Sequence, residues 1–249
     1  MKRISILLLL SIVHLNSFCQ DDGTFYSLNE ALERPDEVTF LNLSGSGLKF
    51  FPDEIKCFKN LQSLALYDNE ISHIPSWIVD MKKLTAIFLG GNLGIDSLTN
   101  LAPMIWIEGI DLSDLELEKI PSFIFNFYKL EFLKMTSNRI YRIPYNLNDL
   151  QHLTFLNLSF NRIKRLPKYL FLPKLEKLFL SSNPIKSIPS SIGNMTSLNE
   201  LYLGSTNIET LPNTLLENNS LYYVDITRTK IKSYTFFKLK KDYPNIYWD

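Results

Sequence analysis

The chain has 249 residues, 45% of them hydrophobic, with 26 basic and 26 acidic side chains and so no formal net charge. This length and apolar content allow a sizeable buried core, and the balanced charge argues against a protein that binds nucleic acid through a strongly basic surface. No linker, charge run or low-complexity block indicates a second domain.

The first nineteen residues (1–19) have the composition of a signal peptide. Lys2 and Arg3 precede the apolar run "ISILLLLSIV", and Ser17 and Cys19 occupy the −3 and −1 positions of a signal-peptidase site. A run of about ten apolar residues is too short to cross a bilayer, so we expect no transmembrane span. Removal of this segment predicts an exported protein that is secreted, periplasmic or held at the cell surface.

A second interpretation makes Cys19 the lipidated first residue of a bacterial lipoprotein. Phe18 lies where that signal usually has a small residue, so we prefer cleavage after Cys19. If Cys19 leaves with the signal, Cys57 is the one remaining thiol, and no intramolecular disulfide can form.

Residues 20–37 are predicted to form an N-terminal cap. The stretch "SLNEALERPDEV" places Ser27 and Glu30 at the spacing of a capping box and continues as a short apolar helix that Pro35 ends. A cap is expected here because repeats follow, and the first repeat of a stack would otherwise expose its apolar side to water.

Residues 38–234 repeat with a period of 23 residues. "LEFLKMTSNRIYRIPYNL" begins at Leu130 and "LTFLNLSFNRIKRLPKYL" at Leu153. Seven prolines give the same period, with spacings of 23, 46, 23, 23, 22 and 23 residues: Pro52, Pro75, Pro121, Pro144, Pro167, Pro189 and Pro212. We count nine repeats, which begin at Val38, Leu61, Leu84, Ile107, Leu130, Leu153, Leu175, Leu198 and Leu221.

The pattern LxxLxLxxNxIxxLPxxIxxLxx resembles the leucine-rich repeat in its 23-residue IP variety, which is found in Ras-suppressor-like proteins and in many bacterial exported proteins. The resemblance covers residues 38–234. It implies a curved α/β solenoid, a horseshoe arc with a parallel sheet on its concave face and about nine repeats capped at both ends. Because this fold serves many unrelated partners, the resemblance predicts the architecture and leaves the function open.

Each repeat is expected to contribute one short strand whose leucines point inward while the residues between them point outward. An asparagine where the chain leaves the strand can satisfy backbone groups that the turn leaves unpaired inside. We therefore predict a ladder of buried amides: Asn69, Asn92, Asn138, Asn161 and Asn183. Other residues replace the amide in four repeats, where we expect a looser ladder, most of all at Leu115: Ser46, Leu115, Thr206 and Thr229.

Residues 235–249 are predicted to close the other end as a C-terminal cap, with a helix and a final strand-like segment. Five apolar side chains are expected to plug the core there: Phe236, Phe237, Leu239, Ile246 and Trp248.

The sequence contains no catalytic constellation. His73 and His152 lie in different repeats, neither has a second ligand at metal-binding spacing, and no GxSxG, phosphate-binding loop or HExxH occurs. Cys57 lies beside Phe58 and is interpreted as a small buried or half-buried side chain instead of a nucleophile. We therefore predict a protein without enzyme activity, cofactor or metal.

Outward positions of the strands in repeats five to nine carry aromatic side chains. Because neighbouring strands lie about 4.8 Å apart, these side chains should form one patch. Its predicted members are Phe132, Phe155, Phe179, Tyr202 and Tyr223, with Phe160 and Tyr222 beside them. Solvent-facing aromatic clusters are typical of interaction sites, although faces of this kind also expose scattered aromatic residues or self-associate.

A second surface is basic and lies where the strands turn into loops. We call it the basic ridge, and its members are Arg139, Arg142, Arg162, Lys164, Arg165 and Lys186. For an exported protein, an anionic glycan or lipid surface fits this ridge better than nucleic acid.

These observations predict an exported, non-enzymatic and monomeric module that holds a protein partner on the concave face. Two alternatives remain open: an intracellular signalling scaffold of the Ras-suppressor kind, and a protein that binds a glycan or an anionic surface through the basic ridge.

Overall fold

The computed structural model of the protein describes residues 23–249. They form two compact units, one ending at Asp111 and the other running from Leu112 to Asp249. The predicted signal peptide (1–19) and the first residues of the predicted N-terminal cap lie outside the described residues.

The described part of the first unit contains five short parallel strands. Their middle residues align, because Leu41 pairs with Leu64 and Leu64 pairs with Ile87, and all three side chains are fully buried. The elements are β1 (Thr24–Phe25), α1 (Leu28–Glu33), β2 (Phe40–Asn42), β3 (Ser63–Ala65), β4 (Ala86–Phe88), β5 (Gly109–Asp111) and the 3₁₀ helices Asp53–Cys57, Ser76–Asp80 and Thr99–Leu101.

The second unit contains six parallel strands, and its middle residues align in the same way, with Leu133 opposite Leu156 and Leu156 opposite Leu178. The strands are β6 (Phe132–Lys134), β7 (Phe155–Asn157), β8 (Lys177–Phe179), β9 (Glu200–Tyr202), β10 (Tyr223–Asp225) and β11 (Tyr247–Trp248). The helices are the 3₁₀ helices Ser122–Asn126, Tyr145–Asp149 and Ser190–Asn194, and the α-helices α2 (Asn213–Leu216) and α3 (Ser233–Asp242).

The repeat period determines where the strands lie. Each of the nine predicted repeats carries one strand, which begins two residues after the start of the repeat, as β7 does after Leu153. The first and third residues of each strand point outward, and the middle residue points into the core. The predicted fold class, an α/β leucine-rich repeat solenoid with a parallel sheet, is confirmed.

The amides of the predicted ladder lie inside both units and bridge successive repeats. Asn161 donates from Nδ2 to the carbonyls of Leu158 (3.0 Å) and Met135 (2.9 Å), and its Oδ1 accepts from the Ile140 N–H (2.9 Å). Asn69 makes the equivalent bonds to Leu66, Leu43 and Leu48 in the first unit. Each amide therefore satisfies two buried carbonyls and one N–H, and that N–H is buried for Asn161 and part-buried for Asn69.

Repeats without the amide use other groups. The hydroxyls of Thr206 and Thr229 donate to the carbonyls three residues earlier, at 2.7 and 2.8 Å. At Leu115 the neighbouring Asn138 compensates, because its Oδ1 accepts from both the Leu115 and Leu117 N–H groups, at 3.1 and 2.9 Å. The backbone at Leu115 is thus held from the next repeat.

The residue just before each ladder position adopts a left-handed backbone conformation. Its φ lies between +51° and +77° in all nine repeats: Gly45, Asp68, Gly91, Asp114, Ser137, Phe160, Ser182, Ser205 and Arg228. In this conformation the N–H bonds to the next repeat, as Ser182 does to the Gly204 carbonyl at 2.8 Å. The turn therefore requires a left-handed residue in every repeat, whatever its side chain.

Proline begins the return path. Pro52 and Pro144 stand immediately before 3₁₀ helices and accept, through their carbonyls, the N–H groups of Ile55 (3.3 Å) and Leu147 (3.2 Å). Proline thus precedes the helix and does not occupy its first position. It is suited to this place because its φ is preset and its missing N–H is not needed.

The repeat that begins at Leu153 is one residue shorter than its neighbours, and its described residues contain no 3₁₀ helix after Pro167. The side chain of Asn148 in the preceding repeat holds this return path, donating to the Tyr169 carbonyl and accepting from the Phe171 N–H, both at 2.9 Å. Leu170 stays buried, so the deletion changes the path and keeps the inward side chain.

The N-terminal helix lacks the predicted capping box. The Ser27 hydroxyl makes no capping hydrogen bond, and its carbonyl instead accepts from the Ala31 N–H at 3.1 Å. The helix is anchored by Ala31, which is fully buried. Strand β1, which pairs with β2, was not predicted.

At the other end, α3 and β11 occupy the predicted closing segment. Leu239, Ile246 and Trp248 are buried, but Phe237 is 69% exposed, so its predicted place in the core is wrong. Phe237 and Leu239 are separated by two positions, about 200° around a helix, and cannot both face inward. Among residues 23–249, no helix is long and apolar enough to cross a membrane.

Candidate functional site

The outward face of the second unit carries a continuous stack of aromatic rings, one from each strand from β6 to β11. Successive ring centroids lie between 4.1 and 5.7 Å apart. We call this set the ring stack, and its members are Phe132, Phe155, Phe179, Tyr202, Tyr223 and Tyr247. Five of the predicted aromatic residues are therefore brought together, and a sixth joins them.

Strand register determines how the rings meet. Phe179 and Tyr202 are register partners, and their rings lie 4.1 Å apart at an angle of 9°. Phe155 is paired with Lys177 instead, so its ring reaches diagonally to Phe179, at 5.1 Å and 40°. The rings are therefore tilted against each other where the stack passes from Phe155, the first residue of β7, to Phe179, the third residue of β8. The stack remains continuous there.

Exposure divides the members of the ring stack. Phe155, Phe179, Tyr202 and Tyr223 are half-buried. Phe132 is only 1% exposed, so the prediction that it faces solvent is wrong. It does lie at an outward strand position, but the Phe155 ring stacks on it at 4.5 Å, and the residue is removed from water.

Among the aromatic residues of this candidate site, three are more than half exposed: Tyr247 of the ring stack, and Phe160 and Tyr222 outside it. Phe160 (59%) and Tyr222 (52%) were predicted to flank the patch, and neither belongs to the ring stack. Tyr247 (63%) was missed, because only the repeats were searched for outward positions. The available signal was the alternation in β11, where buried Ile246 and Trp248 enclose it.

Stacking determines what a partner can contact. A ring that has a neighbour on both sides presents its edge, which carries the positive part of the aromatic quadrupole, while its faces are covered. Tyr247 ends the stack and lies 5.7 Å from Tyr223 on one side, so its other face is available. The face thus offers aromatic edges along its length and one open ring face at its end.

A buried carboxylate supports the stack at β9. Glu200 is 7% exposed, and its carboxylate pairs with Lys177 Nζ at 2.7 Å. It also accepts the hydroxyls of Tyr202 at 2.8 Å and Tyr222 at 2.5 Å. Burial raises the pKa of Glu200, but the hydrogen bonds from Lys177, Tyr222 and Tyr202 outweigh it and leave the pKa below its ordinary value.

The tyrosine hydroxyls point their protons at carboxylates. Tyr223 donates to Asp249 Oδ2 at 2.6 Å. Burial, followed by the neighbouring carboxylate, raises the pKa of Tyr202 and of Tyr223 above the ordinary value. For Tyr222 the bond to Glu200 is the main cause of a raised pKa. All three phenols therefore stay protonated at neutral pH and act as donors within the face.

Phe160 has an unusual backbone for a bulky residue. Its φ is +56°, at the position where the other repeats have glycine, aspartate, serine or arginine. A left-handed conformation costs an ordinary L-residue about 1–2 kcal/mol. Within the described chain no ring stacks on Phe160, so packing of aromatic neighbours does not account for its presence there. The conformation itself is that of the equivalent residue in every repeat, so the unusual feature is the bulky side chain at this position.

All six side chains of the basic ridge are exposed. Arg139 pairs with Glu116. Among the described residues, no carboxylate lies within ion-pair distance of the other five. Arg142 and Arg165 occupy the same position in successive repeats, as do Lys164 and Lys186. The ridge therefore forms columns of like charge across neighbouring repeats.

The outward face of the first unit differs. Ser63, Ala86 and Gly109 are register neighbours at the first strand position and are all buried. Tyr67 stacks on Phe88 at 5.8 Å and donates its hydroxyl to Asp111 Oδ2 at 2.8 Å. Burial is the main cause of a raised pKa for Tyr67. This face carries small buried residues at the first strand position, and the Tyr67 hydroxyl is satisfied within it by Asp111.

The other residues considered for chemistry are dispersed. Cys57 is exposed, so its predicted burial is wrong, because Ile55 and Phe58 take the inward positions around it. His73 lies 3.5 Å from Asp96, and His152 lies 3.1 Å from Lys174. In the part of the chain that the structure describes, no three His, Cys, Asp or Glu side chains are placed to hold a metal ion.

Comparison with known proteins agrees with the fold. A family model described as a leucine-rich repeat region matches residues 111–224. Mouse vasorin is 33% identical over 88 residues, which are 34% of this chain and 13% of vasorin. Human vasorin is 29% identical over 122 residues, which are 48% of this chain and 17% of vasorin. The chain thus matches less than a fifth of the length of either vasorin.

Solved structures give the same result. Internalin C2 of Listeria monocytogenes has a TM-score of 0.67 at 23% identity, covering 78% of this chain and 82% of that one. Internalin InlF of the same organism has a TM-score of 0.69 at 18% identity, and the alignment covers 90% of this chain and 63% of InlF. The plant peptide hormone receptor RGFR1, solved in complex with RGF2, has a TM-score of 0.64 at 23% identity, and the alignment covers 84% of this chain and 35% of RGFR1.

The repeats and parallel strands give the chain a leucine-rich repeat architecture, and residues 111–224 match the model of a leucine-rich repeat region. The 23-residue IP variety remains a prediction from the sequence.

Proposed function

We propose that the protein is an exported, non-enzymatic module that binds a protein partner on the outward, concave face of its second unit. The ring stack carries this proposal, with its end member Tyr247 more than half exposed, together with Phe160 and Tyr222, which are also more than half exposed. Exposed aromatic side chains gathered on one face are typical of the centres of protein interfaces, where they supply most of the binding energy.

The arrangement of the rings favours a protein over a glycan on this face. A sugar that binds by stacking needs an open ring face, and within the ring stack only Tyr247 has one. A protein surface can instead use the ring edges, because carbonyl oxygens and aromatic faces both complement the positive edge of a ring. RGFR1, whose fold is similar, is a peptide hormone receptor solved with RGF2, so the fold is compatible with this use.

The exposed ring of Phe160 supports the same face. Its left-handed backbone is common to all nine repeats, whereas a bulky aromatic side chain occupies this position in this repeat alone. An exposed phenylalanine where the other repeats have glycine, aspartate, serine or arginine fits a contact made in a complex. We expect Phe160 to contribute to the partner site.

Site-specific photocrosslinking tests the proposal. We would place benzoylphenylalanine at Phe160 on the outward face and, as the control, at Tyr145, which is 66% exposed on the return side. The mature protein would be irradiated with the envelope of the producing cell and with candidate extracellular material. We expect a defined adduct from position 160 that position 145 does not give.

A variant carrying Phe155→Ser, Phe179→Ser and Tyr202→Ser should lose that adduct while its circular dichroism stays native. Tyr222→Ser removes an exposed ring outside the ring stack, leaves position 160 available for the crosslinker, and provides a second test should the triple variant unfold. A partner captured equally from both crosslinking positions, or retained by both variants, would overturn the proposal.

Export rests on the residues at the N-terminus. Lys2, Arg3 and the following apolar run support cleavage after Cys19. The intact mass of the protein from its own cells should correspond to a chain that begins at Gln20. Retention of residues 1–19 would favour the intracellular scaffold, and an acylated Cys19 at the first position would favour the lipoprotein.

The basic ridge supports a second candidate function, binding to an anionic glycan or surface. Five of its six cations have no carboxylate partner among the described residues, which leaves their charge available to a polyanion. Dextran sulfate is a suitable probe. A variant with Arg162→Gln, Lys164→Gln and Arg165→Gln should bind it less tightly than one with Lys238→Gln, Lys240→Gln and Lys241→Gln on α3. Equal binding by the two variants would remove the ridge as a site.

A further inference from the structure

The outward face has a distinct chemistry at its C-terminal end, on strands β9 to β11. We propose that this end binds an arginine side chain presented by an extended segment of the protein partner. The inference rests on the proposed function, because it specifies the chemistry of a partner on the same face. Three features of this end support the proposal: three tyrosine hydroxyls already donate their protons, two carboxylates lie on neighbouring strands, and Tyr247 has an open ring face.

Three tyrosines at this end, Tyr202, Tyr222 and Tyr223, can accept hydrogen bonds from a partner but have no proton left to donate. Each phenol has one proton. Tyr202 and Tyr222 give theirs to Glu200, and Tyr223 gives its proton to Asp249. The remaining lone pairs are acceptors, so a partner must supply donors. Arginine brings five N–H donors and no acceptor.

Two carboxylates lie side by side on neighbouring strands. Tyr223 pairs with Tyr247 and Val224 with Trp248, so the next residues along, Asp225 and Asp249, are also neighbours. Like charges opposite each other in a sheet are destabilising. A cation bound between them removes that repulsion, which gives the partner's charge a specific place to act.

The cations already present leave this pair uncompensated. Strands β9 to β11 contain no basic residue. Lys177 on β8 is committed to Glu200 at 2.7 Å. Arg228, three residues after β10, lines the same cavity as Asp249, but among the described residues it forms no ion pair with a carboxylate. The end of the face is therefore complementary in charge to a positive partner.

The geometry around Asp225 leaves one oxygen free of its local hydrogen bonds. Oδ1 accepts from the Thr227 N–H at 2.9 Å and from the Thr227 hydroxyl at 2.6 Å. Oδ2 lies over Gly204, where an added Cβ would come within 2.5 Å of it. The Asp225 carboxylate thus occupies the space that a side chain at residue 204 would fill, and Oδ2 takes part in neither of the two bonds to Thr227.

Tyr247 explains the choice of arginine over lysine. Its outer ring face ends the ring stack, and the residue is 63% exposed. A planar guanidinium can lie on that face and still direct its N–H groups at a carboxylate, whereas an ammonium is a point donor. Asp249 lies two residues along β11 and so on the same side as Tyr247.

The test begins with a selection of phage-displayed random dodecapeptides on the full chain. Selected sequences would be synthesised, and each arginine replaced in turn by citrulline, which keeps the shape and removes the charge. We expect at least one arginine whose replacement weakens binding by about tenfold or more, as the loss of a charge-assisted pair requires.

Variants of the protein then test whether Asp225 and Asp249 cause the preference for arginine over citrulline. Asp225→Asn with Asp249→Asn should abolish the difference between arginine and citrulline. The matched control, Asp149→Asn with Asp242→Asn, removes the same charge from exposed positions elsewhere in the second unit and should preserve the difference. Native circular dichroism is required of both double variants.

The outcomes separate this inference from the proposed function. Peptides that depend on Phe160 and Phe179 yet bind equally with arginine or citrulline would overturn the inference and leave the proposed function standing. Peptides that are indifferent to Phe160→Ser and Phe179→Ser would overturn both. Displacement by CaCl₂ but not by NaCl of equal ionic strength would make this a metal site and overturn the assignment to arginine.

Discussion

The two units share one internal framework and carry different outward faces. In the first unit, small residues such as Ala86 and Gly109 line the sheet. Tyr67 stacks its ring on Phe88 and donates its hydroxyl to Asp111. In the second, six rings stack across the strands and several remain accessible to solvent. The difference indicates that the framework determines where a side chain points, while its neighbours determine whether water or a partner can reach it.

The largest expected effect tests whether the internal framework is equivalent in the two units. Asn161→Ala orphans three buried backbone groups, and Asn69→Ala orphans two buried carbonyls and one part-buried N–H. At about 1–3 kcal/mol for each unsatisfied group, we expect each substitution to lower the free energy of unfolding by about 4 kcal/mol. Urea unfolding followed by circular dichroism measures both. A much smaller loss in one unit would mean that the ladder does not support them equally.

Two phenylalanines at the same strand position compare the outward faces directly. Phe88 is buried and Phe179 is half-buried. Phe88→Ala should cost about 3 kcal/mol of stability and leave partner capture unchanged. Phe179→Ala should cost about half as much and weaken the partner about tenfold, because part of its ring is available for contact.

Both variants of that pair would be measured by urea unfolding and by crosslinking from position 160. If Phe88→Ala also abolished capture while remaining folded, the distinction between the two faces would be lost.

Phe160 and Ser137 have the same left-handed backbone, and replacing each by glycine separates the effect of the Phe160 side chain from that of the backbone. Phe160→Gly should raise the free energy of unfolding by about 0.5 kcal/mol, since relief of left-handed strain is partly offset by the greater freedom of glycine in the unfolded chain. The same change should weaken partner binding. Ser137→Gly is the matched control, with a φ of +55° in the preceding repeat, and should leave binding unchanged. An unaltered affinity in Phe160→Gly would remove the functional explanation of the exposed ring.

The smallest expected effect is a change in how the stability of the second unit depends on pH. Folding lowers the pKa of Glu200 below its ordinary value of 4.5, so the ionised group stabilises the native state above that value. This contribution is lost as the pH falls through the lowered pKa. The fall in urea midpoint between neutral and acidic pH should therefore be smaller in Glu200→Gln than in the native protein.

Glu217→Gln, at an exposed position outside the ring stack, is the control and should keep the full dependence on pH. Identical pH profiles for Glu200→Gln and the native protein would contradict the role given to this carboxylate.

The repeat pattern predicts the strands because a period of 23 residues places each one at a constant offset. Outward and inward positions follow from strand alternation, and the five stacked rings of the repeats were predicted on that basis. The burial of Phe132 was not predictable in this way, since it depends on the atoms that stack over the position. Phe237 and Cys57 were misjudged because an apolar residue type does not reveal which side of a short helix it occupies.

Positions outside the repeat were also the least predictable parts of the site. Tyr247 and Asp249 come from β11, where no period indicates the register, although the alternation of buried Ile246 and Trp248 was visible. The left-handed backbone at Phe160 was hidden because the sequence gives the residue type without its dihedral angle.

The short repeat after Leu153 has a consequence for how such chains change during evolution and in the laboratory. It loses a residue and a helical turn on the return side, yet β7 and β8 keep full register. Insertions and deletions on that side are thus uncoupled from the alignment of the sheet. The turn near Tyr169, which is 62% exposed, is accordingly the place to graft an epitope or a fluorophore without disturbing the ring stack.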